Sequence, residues 1–265
     1  MNIDVNGTNV MGSGWLVVGC LALGMVSARA GEVKRGYSIP IIDLSQETQR
    51  QVVVDKEKEQ YLGHVTTVLL EDGKTLIAVY PKGHGRGAIV MKRSTDGGKT
   101  WSERLPTPES WKTSKEVPTI HRVIGPQGTK RLILWSGLYP ARLAVSEDDG
   151  QSWSELKKVG NWGGIVVMGF VEALKTPGRY LAMFHDDGRY FRGGNGRSYG
   201  GVPTGKRTNM LTLYKTFSED GGLIWSFPEE VLKGTDIHLC EPGCIRSPDG
   251  QSMNRLSHWP WPMKH

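Results

Sequence analysis

Short apolar runs alternate with turns rich in Gly, Asp and Ser along most of this chain. Val65-Thr66-Thr67-Val68-Leu69-Leu70 and Thr75-Leu76-Ile77-Ala78-Val79-Tyr80 flank Glu71-Asp72-Gly73-Lys74, which predicts a hairpin. Further β-prone runs are Ala88-Ile89-Val90-Met91, Ala141-Arg142-Leu143-Ala144-Val145, Tyr180-Leu181-Ala182-Met183 and Met210-Leu211-Thr212-Leu213-Tyr214. No long segment beyond the N-terminus has helical periodicity, so the pattern predicts an all-β chain.

Three of the turns share one sentence, Ser-x-Asp-x-Gly-x-x-Trp, at residues 94–101, 146–153 and 218–225. A repeat at this level predicts a repeated architecture. In each copy the Asp is expected to cap backbone N–H groups, the Gly to accept positive φ, and the Trp to pin the turn on the sheet beneath. The Asp residues therefore read as structural. Strand, turn and strand around each copy, with a hairpin upstream, predict units of four strands, the pattern of propeller blades.

The 265 residues include 35 Gly, 14 Pro and 9 Trp, a composition that suits turn-rich β structure. The first thirty divide off, because the apolar run Trp15 to Val26 followed by Ala28-Arg29-Ala30 matches a signal peptide. A secreted or periplasmic chain without a membrane span is expected, with a lipobox at Val17-Val18-Gly19-Cys20 as the alternative. Residues 31–60 read as a leader, in which Asp55-Lys56-Glu57-Lys58-Glu59 is expected to be a solvated approach to the first unit. The net charge of +6 comes from scattered residues, so no nucleic-acid surface is indicated. Cys240 and Cys244 lie beyond disulfide reach on a strand, where four residues span about 13 Å, unless Pro242-Gly243 turns the chain. Two small buried thiols are the simpler reading. No metal site and no cofactor are predicted.

With three Asp boxes in an exported chain, the region from Tyr61 to Gly250 resembles the bacterial sialidases of glycoside hydrolase family 33 and their six-bladed propeller relatives. The resemblance implies a sialidase-like β-propeller, of which residues 61–265 supply roughly four blades. It also implies an exoglycosidase removing terminal sialic acid, or a related acidic sugar, from glycans. Such an enzyme uses an Arg clamp for the sugar carboxylate, a Tyr nucleophile activated by a Glu, and an Asp acid/base. The alternative is a non-catalytic Asp-box propeller that binds glycans or a protein partner.

The family's activating Glu corresponds to Glu241 in Cys240-Glu241-Pro242-Gly243. The family's first clamp Arg is absent at Tyr61-Leu62-Gly63-His64, and its acid/base Asp is absent from Lys82-Gly83-His84-Gly85-Arg86-Gly87. His64, Lys82, His84 and Arg86 instead put basic groups around one loop mouth. Arg86 is suited to hold a carboxylate and His84 to donate a proton; an exposed basic turn is the alternative. Phe184-His185-Asp186-Asp187-Gly188-Arg189 predicts a second rim. There Asp186 or Asp187 would supply an acid and Arg189 a cation, unless Asp187-Gly188 is simply a turn. Arg122 and Arg142 are weaker candidates. A long Gly/Arg-rich loop is expected from Arg189 to Arg197 and Gly200 to Thr208. Alternation is lost from Met253 to His265, where Pro260 and Pro262 argue against a central strand. An incomplete fourth unit is therefore expected from about Leu239, with the Tyr nucleophile beyond the chain and little activity in this polypeptide alone.

Overall fold

A computed structural model describes residues 40–191, 211–234 and 239–250, and the backbone of 253–256. The predicted signal peptide, its Cys20 alternative and residues 192–210 of the long loop lie outside the described residues. Met1–Gln46 forms a unit of its own, in whose described part the Ser45 N–H bonds Asp43 at 2.8 Å; everything below concerns Glu47–His265.

That second unit is all-β and antiparallel. Strands β1 (Thr66–Leu69), β2 (Leu76–Pro81) and β3 (Ile89–Ser94) form the first sheet. The second is β4 (Pro118–Ile124), β5 (Lys130–Ser136), β6 (Arg142–Ser146) and β7 (Lys157–Lys158). The third is β8 (Ile165–Ala173), β9 (Tyr180–Asp186), β10 (Thr212–Ser218) and β11 (Glu229–Lys233). A pair, β12 (Gly243–Arg246) and β13 (Met253–Leu256), follows. The loss of alternation after Met253 thus does not prevent a strand at 253–256, because register with β12 supplies its backbone partners. The leading strands pack in succession, β1 beside β4, β4 beside β8 and β8 beside β12.

The period-2 rule explains how these sheets stack. Leu132 and Leu134 of β5 join Ile77, Val79 and Met91 of the first sheet in one core, while Ile133 and Trp135 face the third sheet's Tyr180, Ala182 and Phe184 in another. All four β5 residues are fully buried, so the continuous run Leu132-Ile133-Leu134-Trp135 is a strand covered on both faces. At about 1.5–3 kcal/mol per buried aliphatic side chain, this run is a main source of stability.

The repeated turns have the geometry their sequence predicts. In the first, Ser94 Oγ donates to Asp96 at 2.8 Å and accepts the Gly98 N–H at 2.9 Å, and Asp96 accepts the N–H and hydroxyl of Thr100. The second repeats this with Ser146, Asp148, Gly150 and Ser152, and the third with Ser218, Asp220, Gly222 and the Ile224 N–H. Bonds from Thr100 and Ser152 lower the Asp96 and Asp148 carboxyls to about 2. The Trp side chains reach inward. Trp225 meets Trp135 edge-on at 5.3 Å, and Trp153 meets Trp111 in the same way.

The leader departs from expectation at two residues. Asp55 accepts Tyr80 Oη at 2.5 Å and Arg104 Nε at 2.7 Å, while Glu57 pairs with Arg104 at 2.5 Å and Lys82 at 2.9 Å. Lys92 Nζ donates to the Val54 carbonyl at 2.7 Å. Asp55 and Glu57 are therefore half-buried fasteners on the first sheet, and only Lys56, Lys58 and Glu59 are exposed as a solvated segment would be.

Candidate functional site

Because each sheet is a meander, its turns fall at two opposite ends. The β1–β2 turn and the first Asp box share one end, where the Gly97 N–H bonds the Lys74 carbonyl at 2.9 Å; Gly221 to Gly178 is the matching contact in the third sheet. The other end holds the β2–β3 loop with Lys82, His84 and Arg86, and the β9 terminus with Asp186, Asp187 and Arg189. It also holds the residues that precede the leading strands. His64, Glu116, Gly163 and Glu241 each stand two residues before a leading strand, one per sheet. The fold thereby gathers onto one end residues that are far apart in sequence.

Glu116 was not among the sequence candidates, and it is central to this end. Burial pushes its carboxyl above the usual range. A bond from the Val117 N–H at 2.8 Å and the charges of Arg189 and His84 oppose that shift, and the Glu241 charge reinforces it. One half-buried acid therefore feels three of the predicted site residues. A sequence signal existed, since Glu116 precedes Val117-Pro118 at a strand start much as Glu241 precedes Pro242-Gly243.

Glu241 is exposed, and its backbone occupies the left-handed region at φ 47. Its N–H donates to His185 Nδ1 at 3.1 Å. His185 is buried, and burial lowers its pKa to about 4 against the opposing charge of Asp187, so the ring is a neutral acceptor that fixes the turn. His64, at the matching position of the first sheet, is also left-handed at φ 53. Strained non-glycine backbone at two matched positions is the kind of conformation that concentrates at functional sites.

Asp186 and Asp187 part company. Asp186 is fully buried, its Oδ2 accepts the N–H groups of Gly188, Tyr190 and Phe191, and its Oδ1 has no hydrogen-bond partner among the described residues. Burial raises this carboxyl to about 6 against those bonds, with the Asp187 charge adding to the rise. Asp186 thus shapes the loop from beneath rather than meeting solvent. Asp187 is also buried, but it takes the Arg189 guanidinium in a two-point pairing at 2.8 Å, and that guanidinium lies 4.9 Å from the Tyr190 ring. The Asp187-Gly188 turn and the rim cation are therefore one device.

Of the remaining candidates, Lys82 is turned toward Glu57 and Arg86 is exposed. His64 Nε2 and His84 Nδ1 stand 3.3 Å apart. Arg122 pairs with Glu71 and Asp149 at the Asp-box end, away from this site. Arg142 opens β6 at the same end as the site but is spent bracing Thr113 and Ser136. Cys240 and Cys244 are free, half-buried thiols, as the simpler reading has it. Among the described residues no cluster of three or more His, Cys, Asp or Glu side chains is placed to hold a metal.

Two surface grooves of about 730 and 550 Å³ lie elsewhere, between successive Asp boxes. They are lined at equivalent repeat positions, by Trp153 and Ser154 in one and Trp101 and Ser102 in the other.

No known family and no curated protein matches the chain. Among solved structures, a protein of unknown function from Dyadobacter fermentans DSM 18053 is similar at 15% identity and a TM-score of 0.47, over 75% of this chain. The chain spans 62% of that protein's length.

Proposed function

We propose that this chain is a sialidase-like β-propeller, or a portion of one, that binds and processes an acidic sugar at the end opposite its Asp boxes. The observation that carries the reading is the convergence on Glu116 of Arg189, His84 and Glu241. In this reading Arg189, oriented by Asp187, meets the sugar carboxylate with its remaining donors. Glu116, whose carboxyl burial pushes above its ordinary range, donates a proton to the departing glycosidic oxygen. Glu241, exposed and held by His185, supplies the second carboxylate. The Asp-box turns and the succession of leading strands support the propeller part of the proposal.

A binding-only role has one observation in its favour. Arg189 is already engaged by Asp187, in a chain whose Tyr61-Leu62-Gly63-His64 segment lacks the clamp Arg that the resemblance implies. The two readings separate in one experiment on the purified chain, comparing aryl α-sialoside hydrolysis with sialoside binding. Hydrolysis that falls at least a hundredfold in Glu116→Gln and in Glu241→Gln supports the enzyme. Binding without turnover in the wild type supports the alternative, and neither binding nor turnover with sialosides or uronosides overturns both.

A further inference from the structure

We propose that His64 and His84 form a two-histidine site for a divalent transition-metal ion such as Zn²⁺, Cu²⁺ or Ni²⁺, with water in the open positions. The proposal rests on the geometry of these two residues and holds whether or not the ligand of the neighbouring site is a sugar.

His64 Nε2 and His84 Nδ1 are 3.3 Å apart, a long hydrogen bond when one ring carries the proton between them; a metal ion would take the place of that proton. In a tetrahedral site with metal–nitrogen bonds of about 2.0–2.1 Å, two ligand nitrogens are about 3.3–3.4 Å apart. The pair is therefore spaced as two ligands of one small ion. The rings meet edge-on at 81° with centroids 4.6 Å apart, so the two nitrogens converge without the rings stacking.

Both residues are held for this arrangement. Tyr61 packs its ring 5.5 Å from His84 and 6.5 Å from His64. Leu62 bridges to Lys82, tying the segment before β1 to the loop that carries His84. Within that loop Gly83 and Gly87 have φ of 139° and 134°, and a Cβ on them would meet the carbonyl oxygens of Arg86 at 2.5 Å and Lys82 at 2.2 Å. Only glycine permits this turn, which fixes where His84 emerges. His64 reaches its position through a left-handed backbone at φ 53.

The surroundings are compatible with a cation. Lys82, the nearest lysine in the loop, is neutralised by Glu57 at 2.9 Å. The Glu116 carboxylate lies beside Gly85, its Oε1 3.3 Å from where a Cβ on that glycine would stand. Imidazole nitrogens suit zinc, copper and nickel rather than magnesium or calcium. With two protein ligands, the ion keeps open positions, the pattern of a site that exchanges water for a ligand.

The test is calorimetric titration of ZnCl₂ and NiCl₂ into the chain carrying Cys240→Ser and Cys244→Ser, so that the thiols do not compete. One ion per chain is expected, with affinity reduced at least tenfold by His64→Asn or by His84→Asn. Because both side chains are exposed, unfolding temperatures in EDTA should match the parent. Cu²⁺ electron paramagnetic resonance should report two nitrogen ligands in the parent and one in each variant. No binding by the parent overturns the proposal, as does undiminished binding by the double variant His64→Asn/His84→Asn.

Discussion

The two ends of the sheets use carboxylates in opposite ways. At the Asp-box end each Asp is surrounded by donors from its own turn, and Asp96 and Asp148 are lowered to about 2. At the other end Glu116 and Asp186 are raised by burial. The first arrangement spends charge on holding four or five consecutive residues in place. The second withholds water from acids, which disfavours their charged forms and costs stability. The difference teaches where to look for chemistry in this molecule: away from its most visible motif.

The largest effect expected from disturbing this contrast is on stability at the Asp-box end. Trp225 is buried against Trp135 and donates its indole N–H to the Gly222 carbonyl at 2.8 Å. Trp225→Ala should cost about 3–5 kcal/mol in denaturant unfolding. A loss below about 1 kcal/mol would remove the structural reading of the box.

Next in size is the penalty at Asp186. Its folded pKa of about 6 exceeds the 3.8 of an ordinary Asp carboxyl, so the folded state binds the extra proton. The stabilising, protonated form is fully present below pH 4, and stability falls as pH rises through 6, by about 3 kcal/mol in total. Asp186→Asn should flatten the stability profile between pH 4 and 6. An unchanged slope in that window would show that Asp186 is not the group concerned. The Asp96 and Asp148 carboxyls have the opposite sign: their contribution is present above about pH 4 and is lost as pH falls toward 2.

A smaller effect separates two glycines of the boxes. Gly150 has φ 80, and a Cβ there would stand 2.6 Å from the fully buried Ile77, whereas Gly97 has φ 76 with nothing within 4 Å. Gly97→Ala should cost about 1 kcal/mol from backbone strain alone. Gly150→Ala should cost about 1–3 kcal/mol more, because the neighbouring core must also shift. Equal losses would mean that the box does not press on the first sheet's core. Smallest of all, Glu241→Gln should change stability by no more than about 0.5 kcal/mol, since its side chain is exposed.

What could be read from the sequence divides along the same line. The boxes were legible because their bonds run between residues two to four apart, so composition and spacing state them directly. The strands flanking the turns followed from their apolar runs, whereas the continuous run in β5 was passed over because burial on both faces leaves no alternation to read. Glu116 was missed because its one local signal, a Glu just before a strand that starts at Pro118, is weak; its meaning comes from Arg189, His84 and Glu241, which only the packing of successive sheets brings near. Asp55 and Glu57 were misread for a similar reason, since Tyr80, Lys82 and Arg104 lie well downstream. Asp186 was rightly singled out as unusual, but its burial makes it a support of the loop rather than a rim acid.

The central claim, that ligand recognition belongs to the end opposite the Asp boxes, is tested most directly by titrating an α-sialoside into the wild type, Glu116→Gln and Gln151→Ala. Gln151 is exposed and lines a groove at the Asp-box end. Binding that is weakened about tenfold or more by Glu116→Gln and unchanged by Gln151→Ala is the predicted result. Binding that is lost in Gln151→Ala and intact in Glu116→Gln would contradict the account.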